Sequence, residues 1–197
     1  PTQDIRWTWA EFARQVDRLA GGLLSLNIKK GDRVGIWSPN RIEWIMTQFA
    51  TARIGAILVC INPAYRPYEL EFALNNVGCK ALVTARSFKS SDYIGMLQGL
   101  APELSSAAPG DLRAAKVPDL RAIITVGQEA PPHGMLSFKN TLDFGDEVPV
   151  ADLDAITDAL DQNDPINIQF TSGTTGSPKG ACLTHRNIVN NAHFVTA

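Results

Sequence analysis

Apolar and polar positions along this chain follow two different periods, and the changes between them divide it into elements. Trp9, Phe12, Val16, Leu19, Leu23 and Leu26 recur every three or four residues, which places them on one face of an amphipathic helix. Thr8 precedes that run and Glu11 stands three residues on, the spacing of a capping box. Gly31-Asp32 closes the turn that follows, and Val34 to Trp37 reads as a short buried strand. Ser38-Pro39-Asn40 marks a turn, Trp44 to Ala52 a second helix, and Gly55 a break. Ile57 to Ile61 is continuously apolar and β-rich, the pattern of a parallel strand covered on both faces.

The alternation continues downstream. Asn62-Pro63 forces a turn, because the residue before proline avoids the helical region. Tyr68 to Val77 predicts a helix closed by Gly78, a favoured cap. Ala81 to Thr84 is the next strand, Tyr93 to Leu100 a helix, and Ala101 to Pro118 a loop rich in Ala, Pro and Ser. Ala122 to Val126 is a strand, a loose segment runs through Pro131-Pro132, and Asp152 to Leu160 is a helix. Asp164-Pro165 reads as a turn, Ile166 to Phe170 as a strand, and Thr184 caps a final helix into Asn191 and beyond. Strands alternating with helices predict an α/β fold with a largely parallel sheet flanked by helices. A length of 197 residues accommodates one large domain, or one with a small appendage.

Composition narrows the function classes. A net charge of −2 gives no electrostatic case for nucleic acid as a partner. The longest apolar run, Ile54 to Ile61, is too short for a transmembrane segment. Cys60, Cys79 and Cys182 have neither metal-ligand nor disulfide-framework spacing and read as small core hydrophobes in a reducing compartment. From Glu129 to Asp164 there are nine acidic residues against one base, Lys139, the signature of a solvated surface segment. His133 and His193 are isolated. His185 is open to two readings, a cap or surface residue at a helix start, or a proton-transfer base. Arg53 and Arg66 are expected to be solvated or paired. Asn62 and Tyr65 shape a loop, with direct substrate contact as the alternative.

The densest chemistry lies in Thr171-Ser172-Gly173-Thr174-Thr175-Gly176-Ser177-Pro178-Lys179-Gly180, which combines three glycines, five hydroxyls and one lysine. Glycines let backbone amides turn toward an anion, hydroxyls add donors, and Lys179 supplies a compact charge suited to phosphate. Pro178 donates no N–H and stiffens the approach to the lysine. The pattern G-x-x-x-x-G-K-[ST] would need Gly at 178 and Ser or Thr at 180. The chain has Pro178 and Gly180 there, so a Walker-type site is excluded.

Every fixed position of this stretch resembles the phosphate-loop signature of the adenylate-forming superfamily, [ST]-S-G-[ST]-T-G-x-P-K-G. That superfamily includes acyl- and aryl-CoA synthetases, luciferases and peptide-synthetase adenylation domains. Asn62-Pro63-Ala64-Tyr65 with Glu69-Leu70, and the run Asp164 to Phe170, are similar to the fatty acyl-CoA branch, its mitochondrial medium-chain enzymes above all. The resemblance extends from Trp7 to Asn191. It implies ATP-dependent activation of a fatty acid as acyl-adenylate, then thioester formation with CoA. It further implies that Thr171, Ser172, Gly173, Thr174, Thr175, Gly176, Ser177, Lys179 and Gly180 bind the ATP phosphates, with Mg2+ as the accompanying ion and a mitochondrial setting. The superfamily's later motifs do not appear: the aromatic-Gly-x-Thr-Glu segment, the ribose-binding aspartate, the hinge and the C-terminal catalytic lysine. Residues 1–197 are therefore expected to be a partial adenylation domain cut at both ends, its partner the missing remainder of the enzyme. No catalytic residue and no metal ligand is assigned within it. A catalytically silent product that binds nucleotide weakly is the competing expectation, as is a luciferase-like or peptide-synthetase relative.

Overall fold

The computed structural model describes residues 3–171 and 178–196. The first helix, α1 (Trp9–Ser25), begins at the expected capping box, with the Thr8 hydroxyl accepting from Glu11 N–H and the Glu11 carboxylate accepting from Thr8 N–H. Val16, Leu19 and Leu23 are buried as the period requires, whereas Trp9 at the helix start is 84% exposed. Strand β1 (Arg33–Trp37), helix α2 (Ile42–Arg53) and strand β2 (Ile57–Cys60) follow in turn. Helix α3 (Pro67–Val77) starts on a proline, which needs no N–H there, and ends on Gly78 at φ 61°, a left-handed cap. Strand β3 (Cys79–Thr84) is buried at five of its six positions.

A two-residue hairpin, β4 (Ser87–Phe88) and β5 (Ser91–Asp92), introduces α4 (Tyr93–Leu100). The Ala101 to Pro118 loop contains one short 3-10 turn, Pro102–Ser105, and buries Leu104, Leu112 and Val117 as anchors. Strands β6 (Ala122–Thr125) and β7 (Leu136–Ser137) then lead into α5 (Phe138–Gly145) and α6 (Val150–Asp158). The antiparallel pair β8 (Pro165–Thr171) and β9 (Lys179–Thr184) precedes α7 (His185–Thr196).

Seven strands form one sheet in the order β7-β6-β3-β1-β2-β8-β9, parallel throughout except at β8–β9. The predicted α/β class with a largely parallel, helix-flanked sheet is what the chain adopts. β1 connects outward through α2 to β2, and β2 returns across β1 through α3 to β3. Right-handed crossovers put those helices on opposite faces. α1, α2, α5 and α6 pack together on one, and α3 and α4 on the other. The connection leaving β1 runs toward β2 and the one leaving its other neighbour, β3, runs the opposite way toward β6, which makes the carboxyl ends of β1 and β3 a topological switch point, the place where open α/β sheets bind ligands.

Two elements depart from the expected organisation. The loose segment after Pro131-Pro132 contains β7 and α5, and α5 crosses α1 so closely that a Cβ on Gly22 would land on the Thr141 carbonyl, and one on Gly145 on the Arg18 carbonyl. The acidic stretch is not simply solvated. Arg18 holds Asp146 (2.5 Å) and Asp143 (3.4 Å), Arg53 holds Asp154, and Lys30 holds Asp164. Its carboxylates tie α5, α6 and the start of β8 to basic residues far back in the chain.

Candidate functional site

The signature residues fall at the outer end of the sheet. β8 is paired with β2 in the register Leu58↔Asn167, Val59↔Ile168 and Cys60↔Gln169, so it runs parallel to the core and delivers Thr171 at the carboxyl edge. β9 returns antiparallel, and Thr171 and Lys179 are direct cross-strand partners, the Thr171 hydroxyl donating to the Lys179 carbonyl at 3.4 Å. The two ends of the signature are thus side by side at the carboxyl edge of the sheet. Ser172, Gly173, Thr174, Thr175, Gly176 and Ser177, expected to grip phosphate, lie outside the described residues.

Thr171, Lys179 and Gly180 are exposed. Gly180 faces Ile168 and Phe170 so closely that a Cβ there would sit 3.1 Å from Ile168 Cγ2, and the Ile168 side chain would have to give way slightly. An exposed hydroxyl and an exposed ammonium on adjacent strands form a donor pair suited to an anion. Among the described residues no group of three or more His, Cys, Asp or Glu could hold a metal ion. The Thr171 hydroxyl and the Lys179 ammonium are of the chemistry that suits nucleotide phosphates.

Below the hairpin lies a polar seam. Asp164 Oδ2 accepts from Lys30 Nζ at 2.6 Å and from Asp161 N–H at 2.8 Å, and these bonds hold its carboxyl below the usual range. The turn expected at Asp164-Pro165 lies earlier, at Asp161–Asp164, closed by Asp164 N–H to the Asp161 carbonyl, and Pro165 already opens β8. His185 N–H donates to the Asp164 carbonyl, so the fold supplies the acidic neighbour that the local sequence lacks. Burial pushes the imidazole below its ordinary value, with Asp164 opposing. Nε2 has no hydrogen-bond partner among the described residues. His185 is the first residue of α7, while Thr184 does the capping: its hydroxyl accepts from Asn187 N–H and its N–H donates to Asn187 Oδ1. The seam ties hairpin to core, and nothing in its geometry points the imidazole at the phosphate-binding edge.

The Asn62–Tyr65 corner follows β2, which pairs with β8 up to Cys60↔Gln169, so it leaves the sheet at the same carboxyl edge as Thr171. Asn62 Oδ1 accepts from Ala64 N–H at 2.9 Å and its carbonyl from Tyr65 N–H at 3.0 Å, which is the loop-shaping role expected of it. Burial, then Glu69, raises the Tyr65 phenol above its ordinary value. Arg53 is paired, bridging Asp17, Asp154 and Thr157. Of the cysteines, Cys79 is buried and Cys60 half-buried against Asn167, but Cys182 on β9 is exposed. A core role was expected of all three, and it fails for Cys182 because β9 is an edge strand with no neighbour on its outer side.

The sheet is of the open, doubly wound α/β kind, and the two ends of the hydroxyl-, glycine- and lysine-rich stretch meet at its carboxyl edge. The chain matches the model of the AMP-binding enzyme family over residues 2–196 and belongs to that family. It is 48% identical over 190 residues to the mitochondrial medium-chain acyl-CoA ligase ACSF2 of Danio rerio, aligning 96% of itself with 31% of that protein. It is 47% identical over 194 residues to the Homo sapiens protein of the same name, aligning 98% of itself with 31% of it. Among solved structures it superposes on a long-chain-fatty-acid-CoA ligase (FadD1) from Archaeoglobus fulgidus with TM-score 0.71 and 28% identity, covering 99% of this chain and 33% of that one. The chain thus spans about a third of the length of these relatives.

Proposed function

We propose that the chain is the N-terminal, phosphate-gripping portion of an ATP-dependent acyl-CoA synthetase that activates a medium-chain fatty acid, in a mitochondrial setting. A carboxylate oxygen attacks the α-phosphorus of ATP, forming the acyl–O–P bond as the bond to pyrophosphate breaks. The thiol of CoA then attacks the acyl carbonyl and releases AMP. Mg2+, when bound with ATP, offsets phosphate charge. The chain's own contribution is to hold the leaving pyrophosphate: Thr171 and Lys179 offer a hydroxyl and an ammonium, and Ser172, Gly173, Thr174, Thr175, Gly176, Ser177 and Gly180 complete the grip. Preorganised donors of this kind are worth about 10²–10³ in rate each. The observation that carries the reading is the antiparallel pairing Thr171↔Lys179 at the carboxyl edge of a parallel sheet. The acyl pocket, the CoA path and the residues around adenine belong, on this reading, to polypeptide beyond the chain.

The test is carboxylate-dependent ATP–pyrophosphate exchange by the full-length protein across acids of rising chain length. Exchange is expected to peak with eight- to ten-carbon-like acids, about tenfold above acetate. Exchange with amino acids alone would replace the reading with a peptide-synthetase one, and no exchange with any acid would remove it. A second reading, a polypeptide that binds nucleotide without turning it over, draws on α7, which has no buried residue and exposes Val189, Phe194 and Val195. Nucleotide binding without exchange in the full-length protein would favour it.

A further inference from the structure

Trp37 and Tyr93 are the two largest fully buried side chains of the described residues. Trp37 ends β1, Tyr93 opens α4, and their rings stack at 3.6 Å with planes 8° apart. Both polar tips leave the core in the same direction. Trp37 Nε1–H donates to the Asn62 carbonyl at 3.1 Å, and the Tyr93 hydroxyl donates to the Pro63 carbonyl. Two consecutive carbonyls of one exposed corner are thus fixed from beneath by donors on two different elements. The stack itself is braced, since the Trp37 carbonyl accepts from Ala85 N–H and from the Thr84 hydroxyl. A buried Trp or Tyr needs a partner for its N–H or O–H, but core packing does not require both to choose adjacent carbonyls of the one loop that follows β2.

We propose that Trp37 and Tyr93 are positioning residues, a two-donor clamp that sets the Asn62–Tyr65 loop at the carboxyl edge it shares with Thr171. The inference rests on the adenylation reading for its catalytic consequence. The clamp fixes the loop that leaves β2 at the edge where β8 delivers Thr171. Loss of the Tyr93 hydroxyl alone then frees the loop while the stack keeps its volume.

Tyr93→Phe removes only the hydroxyl, whereas Trp37→Phe removes the indole N–H together with ring volume and serves as the packing control. Amide hydrogen exchange on the 197-residue chain is expected to quicken at least about tenfold at Ala64 and Tyr65 in Tyr93→Phe, while amides of β3 stay within about twofold. In the full-length protein, ATP–pyrophosphate exchange should fall about tenfold through kcat, with the KM for ATP nearly unchanged and the melting temperature within a few degrees. Unchanged loop amides, or equal quickening throughout the sheet, would show a core pair and no clamp. A loosened loop with undiminished kcat would remove the catalytic role. If the unsubstituted full-length protein shows no exchange, the adenylation reading and the catalytic half of the proposal fall together, and the amide result still decides the clamp.

Discussion

β3 and β9 are both six residues long and nearly alike in composition, Cys-Lys-Ala-Leu-Val-Thr against Lys-Gly-Ala-Cys-Leu-Thr. β3 is buried at every position but Lys80, whereas no residue of β9 is buried. The difference lies in placement. β3 sits between β1 and β6 with helices over both faces, while β9 is the sheet edge and turns antiparallel. A strand inside the sheet serves folding. The edge pair serves presentation, because its hydrogen bonds hold Thr171 and Lys179 together while their side chains stay in solvent. Substitutions in the two regions should therefore separate stability from nucleotide chemistry.

The largest break in that comparison comes from the core side. Gly22→Ala should cost more than about 3 kcal/mol, since the new methyl meets backbone that cannot yield without parting α1 from α5. Chemical denaturation of the 197-residue chain checks this, and a loss below about 1 kcal/mol would mean that the helix pair is looser than its geometry states. A smaller contrast is read from thiol chemistry. Cys182 should react at once with a thiol reagent, and Cys79, enclosed and with its thiol pushed up to about 12 by burial, at least about a hundredfold more slowly, through unfolding. Comparable rates would erase the distinction between the strands. Protection of Cys182 in the full-length protein would sharpen it, by showing that further polypeptide covers the edge.

The smallest effect is in the seam joining the two regions. Burial lowers the native pKa of His185 below its ordinary 6.5, so the unfolded chain takes up a proton first as pH falls. The stability tied to neutral His185 is complete above pH 6.5 and is lost as pH drops through the lowered native value. The melting temperature should decline slightly from pH 7 to 5, and His185→Gln should flatten that decline. An equal decline in the variant would place the titrating group elsewhere.

Much of this was legible in the residues because local rules settled it. Thr8 and Glu11 specify their cap, Gly78 its left-handed turn, and the apolar runs at Val34, Ile57 and Ala81 their strands. Helix α5 was hidden because its packing runs on two glycines, Gly22 and Gly145, whose closeness no periodicity encodes. β9 was hidden because Lys179 and Gly180 break the strand pattern and pairing with β8 replaces it. The ion pairs that Arg18, Lys30 and Arg53 make with the acidic stretch span more than a hundred residues, as with Arg53 and Asp154, 101 apart. The phosphate signature itself needed no structure to be seen, but the pairing of its two ends at the carboxyl edge of the sheet did. The Trp37–Tyr93 clamp left one trace, two aromatics with polar tips at element ends, and only the fold joins them to Asn62 and Pro63.

The central claim is that the β8–β9 edge is built to bind phosphate and not to hold the fold. Titration of MgATP into the 197-residue chain and its Lys179→Ala variant, with a melting curve for each, tests it most directly. The account predicts that the variant melts as the parent does and binds MgATP at least about tenfold more weakly, as loss of one charged phosphate contact requires. Equal affinity for MgATP, or a variant that loses its fold along with its binding, would contradict it.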